Sequence, residues 1–110
     1  MPREGLGEFE QVVLLAVIHL KDHVYGVPIV DEIERRTGRE VARAAVYITL
    51  RRLEEKGLVT SWMSAPTAEP GGKARRCVEV TTAGKRALRD SRTFLNSMWQ
   101  GADQKLKADR

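Results

Sequence analysis

The sequence is poor in the residues from which disulfides, metal sites and catalytic centres are made. Its 110 residues include one cysteine, Cys77, and two histidines, His19 and His23. An internal disulfide is therefore impossible, and a zinc site, which normally shows denser Cys and His spacing, is not indicated. No nucleophile–base pair, phosphate-binding glycine loop or paired-carboxylate pattern occurs. We expect no metal, no cofactor and no enzymatic activity.

Long apolar runs are scarce as well. The apolar run Val12–Leu20 covers nine residues, whereas a helix that spans a membrane needs about 20. Residues 1–4 include a glutamate, and no cleavage pattern follows them, so they do not match a secretion signal. A single cysteine also suits a reducing compartment. We therefore expect a cytoplasmic protein without a membrane partner.

The charge of the chain is moderate overall but unevenly distributed. The formal net charge is +4 and the isoelectric point is about 9.6. Residues 1–38 carry four Lys/Arg against seven Asp/Glu, residues 39–76 carry eight against four, and residues 77–110 carry seven against four. Because the first third is acidic and the rest is basic, we expect one face of the protein to meet a polyanion.

Apolar periodicity predicts two helices in the first third of the chain. The first lies within residues 6–21, which are apolar on almost every side after Phe9 and must be covered from several directions. The second is predicted over 27–37, with Pro28 in its first turn and Gly38 as its C-terminal stop.

A third helix is predicted over residues 43–56, and its two faces differ. Residues at i, i+4 and i+7 define a buried stripe of Val46, Leu50 and Leu53. The opposite face presents Tyr47 and Ile48 beside arginines. Exposed Tyr and Ile side chains in that setting need a reason other than solvation.

Two short segments that are rich in β-branched or aromatic residues, 58–64 and 75–80, follow the third helix. Two prolines and a Gly–Gly pair lie between them, so the segments predict a hairpin with a protruding loop. We expect Trp62 to pack on this hairpin and Cys77 to lie in the core of its second strand.

A final helix follows, which Thr81 or Thr82 can cap. Its apolar or small positions recur at spacings of three and four, as in a coiled coil, at Leu88, Ser91, Leu95, Met98, Ala102 and Leu106. The small domain leaves nothing along which this seam could pack, so a twofold-related copy is the simplest partner. We predict a homodimer whose interface contains Leu88, Leu95, Met98, Ala102 and Leu106.

The predicted order is helix, helix, helix, hairpin, helix, and five segments within it follow a familiar pattern. They are LGEFEQVVLLAV (6–17), YGVPIVDEIERRTG (25–38), AAVYITLRRLEEKGLV (44–59), PTAEPGGKARR (66–76) and VTTAGKRAL (80–88). Together they resemble the PadR family of bacterial repressors from residue 6 to about residue 90. The most specific combination is Tyr25, Gly26, Ile29, Tyr47, Leu50, Leu53, Glu54, Gly57 and Leu58.

The resemblance implies a mainly α fold with a small β-hairpin (α+β), namely a winged helix-turn-helix followed by a long C-terminal dimerisation helix. Residues 1–80 would be the winged-helix DNA-binding domain, and residues 81–110 would pack on the first helix of the partner. Short members of the family dimerise through this last helix. The implied function is that of a transcription repressor that binds a pseudo-palindromic operator as a homodimer.

The recognition helix and the wing supply the predicted DNA contacts. They are Arg43, Ala44, Tyr47, Ile48 and Arg51 on the third helix, and Lys73, Arg75 and Arg76 in the wing. Arginine can bind guanine, tyrosine can donate to a phosphate, and isoleucine can contact a thymine methyl. The wing would meet the backbone or the minor groove. These charges could instead be ordinary solvated surface, and Tyr47 could pack its ring and expose only its hydroxyl.

Trp99 has two interpretations. In the first it packs in the dimer interface and has no further role. In the second, which the resemblance favours, the two tryptophans of a dimer stack on a small planar aromatic effector, since related short family members bind planar drug-like molecules at the dimer centre. Phe94, Leu95, Met98 and Trp99 would line that site.

A second class of function stays open, that of a winged helix which binds a protein instead of DNA. The outward Ile48 and the acidic first third of the chain support it. Affinity for duplex DNA that falls steeply with salt would favour DNA binding. Salt-insensitive association with a protein would favour the alternative.

Overall fold

The computed structural model describes residues 5–66 and 72–108 and gives them five helices and one hairpin. The elements in chain order are α1 (Glu8–His19), α2 (Val27–Thr37), α3 (Arg43–Glu55), β1 (Val59–Met63), β2 (Arg76–Val80), α4 (Thr82–Trp99) and α5 (Ala102–Ala108). The two strands form one antiparallel sheet. This confirms the predicted mainly α fold with a small β-hairpin.

The first two helices begin and end where their local sequence favours it. At the start of α1, the side chain of Glu10 accepts a hydrogen bond from the Gly7 N–H at 3.0 Å. α2 has Pro28 in its first turn, where a missing N–H leaves no hydrogen bond unmade. It ends at Gly38, whose N–H donates to the Glu34 carbonyl at 2.9 Å. The bounds of α2 are those that the sequence predicts.

One hydrophobic core lies between the first three helices and the hairpin. The predicted stripe of α3 is fully buried in it, and α1 contributes residues from several sides, as its apolar sequence requires. The buried residues of the core are Val13, Leu14, Ala16, Val17, Ile29, Val30, Ile33, Val46, Leu50, Leu53, Val59, Val78 and Val80. This core fixes α3 with one face inward and the other face outward.

The hairpin pairs β1 with β2 in antiparallel register, with Val59 opposite Val80. Cys77 is buried in β2, which confirms its predicted place in the core of the strand. Trp62 lies opposite Cys77 and packs on the hairpin only in part, since its side chain is 42% exposed. Residues 67–71, which belong to the predicted wing loop, lie outside the described residues.

A third segment of chain, just before α2, also joins β2. The Tyr25 N–H donates to the Arg76 carbonyl at 2.9 Å, and Val24 forms an isolated bridge with Cys77. The sequence does not predict this pairing, because a single bridge has no periodicity to reveal it. Its consequence is that Tyr25 lies against the base of the hairpin.

The start of α4 is anchored to the hairpin by a cap and a close packing contact. Thr81 Oγ1 accepts a hydrogen bond from the Gly84 N–H at 3.0 Å, and its hydroxyl donates to the Gly57 carbonyl at 2.8 Å. Gly84 lies so close to the backbone carbonyl of Leu58 that a Cβ there would overlap it. The direction in which α4 leaves the domain is therefore fixed.

The C-terminal segment differs from the expected uninterrupted seam. α4 ends at Trp99, and α5 begins at Ala102. Between them Gln100 has a ψ of 119° and Gly101 has a φ of 82°. Glycine adopts that left-handed conformation without the steric cost of a Cβ. The apolar residues before and after Gly101 therefore do not lie on one straight helix.

Candidate nucleic-acid interface

The outward face of α3 carries all five residues predicted for the recognition helix. Arg43, Ala44, Tyr47, Ile48 and Arg51 are exposed, on the side opposite the buried stripe. The side chain of Ile48 is 56% exposed. The face therefore combines cationic donors with an accessible apolar group, which are the two kinds of contact that base edges accept.

Tyr47 is held in place by the residues that precede α2. Its ring centroid lies 5.8 Å from that of Tyr25, with 36° between the planes. Its hydroxyl lies against Gly26, where a Cβ would come within 2.5 Å of the Tyr47 Oη. Gly26 also has a φ of 95°, so two constraints require glycine there. The Tyr47 side chain stays 38% exposed, packed on one side and accessible on the other.

The arginines of this face, Arg43 and Arg51, form no ion pair with a carboxylate in the described part of the chain. At the end of α2, by contrast, Arg35 and Arg36 both bind Glu32, and their hydrogen bonds hold the pKa of that carboxyl below its ordinary value. Positive charge is thus available to an anionic ligand on α3.

All three predicted wing residues are exposed, and two of them, Lys73 and Arg75, lie just before the start of β2. In the part of the chain that the structure describes, the side chains of these two make no ion pair. The Arg75 N–H donates to Ser64 Oγ at 2.9 Å, and the Ser64 N–H donates to the Arg75 carbonyl at 2.7 Å. These bonds close the base of the loop through the backbone of Arg75 and do not use its basic side chain.

Arg76, the third predicted wing residue, is engaged by other side chains. Its guanidinium carbon lies 4.6 Å from the centroid of the Tyr25 ring. Its Nη2 donates to Ser61 Oγ at 3.1 Å and lies 3.6 Å from Glu54 Oε1. Arg76, Tyr25 and Glu54, together with Arg51, line a cleft of about 240 Å³. Burial raises the pKa of the Tyr25 hydroxyl, and the charge of Arg76 offsets part of that rise.

The partners of Arg76 are functional candidates that the sequence does not single out. Tyr25 belongs to the segment before α2, Glu54 to α3 and Ser61 to β1. Nothing in their spacing along the chain predicts that they meet. The one available signal is that Tyr25 and Glu54 both belong to the specific pattern quoted above.

The predicted effector and dimer residues are only partly brought together. Leu95, Met98, Trp99, Ala102 and Leu106 surround a shallow, mostly apolar depression of about 270 Å³ at the junction of α4 and α5. Phe94 does not line it and is 74% exposed. Leu88, the first residue of the predicted seam, is partly buried against the core of its own chain.

A second apolar surface lies in a groove of about 490 Å³ between α1 and α4. Leu15 and Ile18 of α1 are close to half exposed there, and Leu88 lies beside them. The remaining lining residues are Gln11, Lys85, Arg89 and Arg92. Leu15 and Ile18 are thus apolar residues of α1 that the described part of the chain leaves largely uncovered.

Residues 14–90 match the family described as the transcriptional regulator PadR-like family. This chain is a member of the PadR-like family. The matched range contains α2, α3 and the hairpin, and therefore most of the interface described above. It ends within α4, so the depression at the α4–α5 junction lies beyond it.

Similar proteins agree with the family assignment. The transcriptional regulator Rv3488 of Mycobacterium tuberculosis is 33% identical over 94 residues, which cover 83% of each chain. The crystal structure of a PadR family transcriptional regulator from Eggerthella lenta is 25% identical, with a TM-score of 0.67 over 93% of this chain and 88% of that one. A PadR-like transcriptional regulator from Bacillus cereus is 17% identical, with a TM-score of 0.72 over 89% and 90%, and this likeness shows the fold alone.

In this PadR-like chain, the described residues contain no group of three or more His, Cys, Asp or Glu that could hold a metal ion. His23 lies in the turn after α1 with a φ of 57°, so it does not share a helix face with His19. None of the helices in the described ranges combines the length and the apolar character that crossing a bilayer requires.

Proposed function

We propose that this PadR-like regulator binds double-stranded DNA as a homodimer and represses transcription at a pseudo-palindromic operator. The observation that carries the proposal is the outward face of α3, where two arginines that form no ion pair with any described residue flank an exposed Tyr and Ile. Such a face provides both attraction to phosphates and groups that read base edges. The regulator acts on DNA in the cytoplasm and has no catalytic activity of its own.

In this proposal α3 is the recognition helix and lies in the major groove. Arg43 and Arg51 donate to guanine edges or to phosphates, and Ile48 contacts a thymine methyl. Ala44 is small, so the backbone of α3 can approach the base edges closely there. Tyr47, fixed between Tyr25 and Gly26, donates its hydroxyl to a phosphate.

The wing makes the second contact with the same duplex. Lys73 and Arg75 have exposed side chains at the base of the hairpin loop, and neither forms an ion pair with another described residue. Charges at that place are suited to phosphates or to a narrow minor groove. Their contribution is largely independent of sequence, and it should strengthen the dependence of affinity on salt.

Self-association supplies the second recognition helix that a pseudo-palindrome needs. We propose that residues 81–110 of one chain pack on α1 of its partner, and that residues 1–80 form the DNA-binding domain. The support is the apolar surface that the described residues leave exposed on both elements involved, in the groove beside α1 and on the side chains of α4 and α5. The interface would contain Leu88, Leu95, Met98, Ala102 and Leu106.

We further propose that a small planar aromatic compound regulates the dimer. Phe94, Leu95, Met98 and Trp99 would enclose it where two α4–α5 junctions meet. Titrating planar aromatic compounds into the Trp62→Phe variant, in which Trp99 is the remaining tryptophan, tests this. Quenching of Trp99 fluorescence together with release of DNA is the expected result, and fluorescence that no compound changes would contradict it.

Selection of bound duplexes from a random pool tests DNA recognition. We expect enriched sequences with two inverted half-sites whose centres are about 34 Å apart, one helical turn of DNA. Affinity for them should fall steeply as salt is raised. A pool without enrichment would contradict DNA recognition, and enrichment of isolated half-sites would contradict the dimer.

The exposure of Ile48 favours one alternative, in which the same face of α3 binds a protein. An apolar protein contact depends little on ionic strength, because it does not release counterions from a polyanion. A partner whose binding is lost in Ile48→Asp and is insensitive to salt, with no enrichment of any duplex, would favour this alternative.

A further inference from the structure

Arg76 contacts three elements of the chain: the segment before α2, the end of α3 and strand β1. Its guanidinium lies on the ring of Tyr25, just before α2, and its Nη2 donates to Ser61 of β1. The same nitrogen lies 3.6 Å from Glu54 in the last turn of α3. We name Arg76, Tyr25, Glu54 and Ser61 the Arg76 cluster.

Each hydrogen bond of the Arg76 cluster joins a donor to an acceptor, with the Ser61 hydroxyl in the middle acting as both. The Ser61 hydroxyl donates to the Glu54 carboxylate, at 3.0 Å and 3.1 Å from its two oxygens, and accepts from Arg76 Nη2 at 3.1 Å. The Tyr25 N–H also donates to the Arg76 carbonyl at 2.9 Å. Tyr25 and Arg76 are therefore joined twice, by the contact of the guanidinium with the ring and by this backbone hydrogen bond.

The cluster continues into the proposed DNA interface. The Tyr25 ring packs against Tyr47, whose hydroxyl lies against Gly26. A change in the position of Arg76 would thus reach a recognition-helix side chain through one intervening ring. It would also alter the position of β1 relative to α3.

We propose that Arg76 is a positioning residue that holds the β1–β2 hairpin against α3, so that the wing and the recognition helix meet DNA in one fixed arrangement. This proposal rests on the DNA-binding function proposed above. Its neighbour Arg75 provides the contrast, because Arg75 is equally basic but, within the described residues, makes no ion pair.

Two elements that must contact the duplex together bind it best when their relative position is set in the free protein. Fixing that position before binding avoids an entropic cost at the moment of binding. Arginine suits this role because its planar group can stack on an aromatic face while its N–H groups donate sideways. A lysine ammonium has no planar face, so it cannot stack on the Tyr25 ring and donate hydrogen bonds sideways from that plane at the same time.

Hydrogen exchange of the free protein tests the holding role without DNA. Arg76→Gln should accelerate exchange of the β1 and β2 amides at least about threefold, as expected when local opening becomes easier. Arg75→Gln should leave their exchange unchanged, and the urea midpoint of Arg76→Gln should stay near that of the wild type. Hairpin exchange that Arg76→Gln does not alter would overturn the proposal, whether or not the protein binds DNA.

The salt dependence of binding to a selected duplex tests the functional consequence. Arg76→Gln should weaken binding about tenfold, the size of one lost cation–π contact and its hydrogen bond, without changing the salt slope. Arg76→Lys should fail to restore affinity. Arg75→Gln should lower the slope by about one unit, as expected for a lost phosphate contact. A lower slope in Arg76→Gln, with affinity restored by Arg76→Lys, would identify Arg76 as a phosphate ligand instead.

In Glu54→Gln, the loss of negative charge and the loss of a contact with Arg76 should change DNA affinity in opposite directions. Removing an acidic group near a polyanion would by itself strengthen binding, whereas weakening the Arg76 cluster should cancel that gain and accelerate hairpin exchange. Stronger DNA binding with unchanged exchange would overturn the proposal. If exchange responds as expected but the wild type binds no duplex, the holding role stands and the proposed DNA-binding function fails.

Discussion

Two regions of the molecule differ in how far they bury their apolar side chains. One is the winged-helix body, formed by α1, α2, α3, β1 and β2, and the other is the C-terminal segment, residues 92–107. The body buries Leu14, Leu50 and Leu53 completely. In the C-terminal segment every residue except Ala102 is exposed, including Met98 at 70%. The body therefore has a hydrophobic core of its own, although Leu15 and Ile18 of α1 stay close to half exposed. The segment exposes most of its apolar surface, which a second copy would cover in the dimer proposed above.

The largest expected effect is the difference in stability lost when a leucine of the body, Leu50, and a leucine of the segment, Leu95, are each replaced by alanine. Leu50→Ala removes a fully buried side chain from the core, and we expect it to lower the free energy of unfolding by about 2–5 kcal/mol. Leu95→Ala should cost far less in dilute protein and more as the protein concentration rises, because Leu95 is about half exposed in the single chain and would be buried only in the proposed dimer. Urea unfolding at two protein concentrations measures both effects. If Leu95→Ala lost as much stability as Leu50→Ala, and the same amount at both protein concentrations, the proposed difference between body and segment would be contradicted.

A charge placed in the C-terminal segment tests its role in self-association. Leu95→Asp should weaken dimerisation about 100-fold, since burying an unpaired carboxylate in an apolar contact is costly. Sedimentation equilibrium measures the change. Ile48→Asp is the matched control, because Ile48 is also exposed and apolar but lies on α3, and its self-association should equal that of the wild type. Loss of the dimer in the control alone would place the interface on α3.

The start of α4, the helix that connects the body to the segment, depends on one glycine. Gly84→Ala places a Cβ against the Leu58 carbonyl, which is backbone and cannot move aside easily. We expect a loss of about 1–3 kcal/mol in the free energy of unfolding. The comparison variant is Ala83→Gly, which changes a neighbouring exposed residue and should cost about 1 kcal/mol or less. Thermal unfolding of the two variants in parallel would contradict the account if Gly84→Ala were the more stable.

The smallest expected effect concerns an ion pair inside the body. Lys56 donates to Glu10 at 2.8 Å and joins the end of α3 to the start of α1. Burial raises the pKa of Glu10, but the bonds from Lys56 and the Gly7 N–H outweigh it, so the pKa lies below its ordinary value of 4.5. Its contribution is thus present above pH 4.5 and is lost as the pH falls through the lower folded-state pKa.

Glu10→Gln should accordingly destabilise the protein by about 0.5 kcal/mol at pH 7. The difference from the wild type should disappear at a second, acidic pH below the lowered folded-state pKa, where the carboxyl is protonated in both the folded and the unfolded chain. Urea titrations at the two pH values measure this difference. A deficit that is the same at both would show that the carboxylate charge is not its cause.

Most features of the body that the sequence predicts depend on residues that are near one another in the chain. The bounds of α2, the buried stripe of α3 and the place of Cys77 follow from local periodicity and from residues such as Pro28 and Gly38, so short-range information is sufficient. The outward face of α3 follows from the same helical period, which is why its five predicted residues are exposed together.

Features that depend on distant residues were not predictable in this way. The Arg76 cluster joins residues 25, 54, 61 and 76, and the bridge at Val24 involves a single pair. The break at Gly101 was missed because the spacing of apolar residues continues across it, so periodicity alone gives no sign that the backbone turns. Leu88 belongs to the seam by spacing but lies against its own core.

The central claim is that the outward face of α3 binds DNA, and the two adjacent arginines of that helix test it most directly. Arg51 lies on the proposed interface, whereas Arg52 is exposed about 100° further round the helix, toward Glu10. Titration of a selected duplex at fixed salt should show that Arg51→Gln weakens binding at least about tenfold. Arg52→Gln, which removes the same charge, should change binding less than about twofold. Equal losses, or no loss in either variant, would contradict the account.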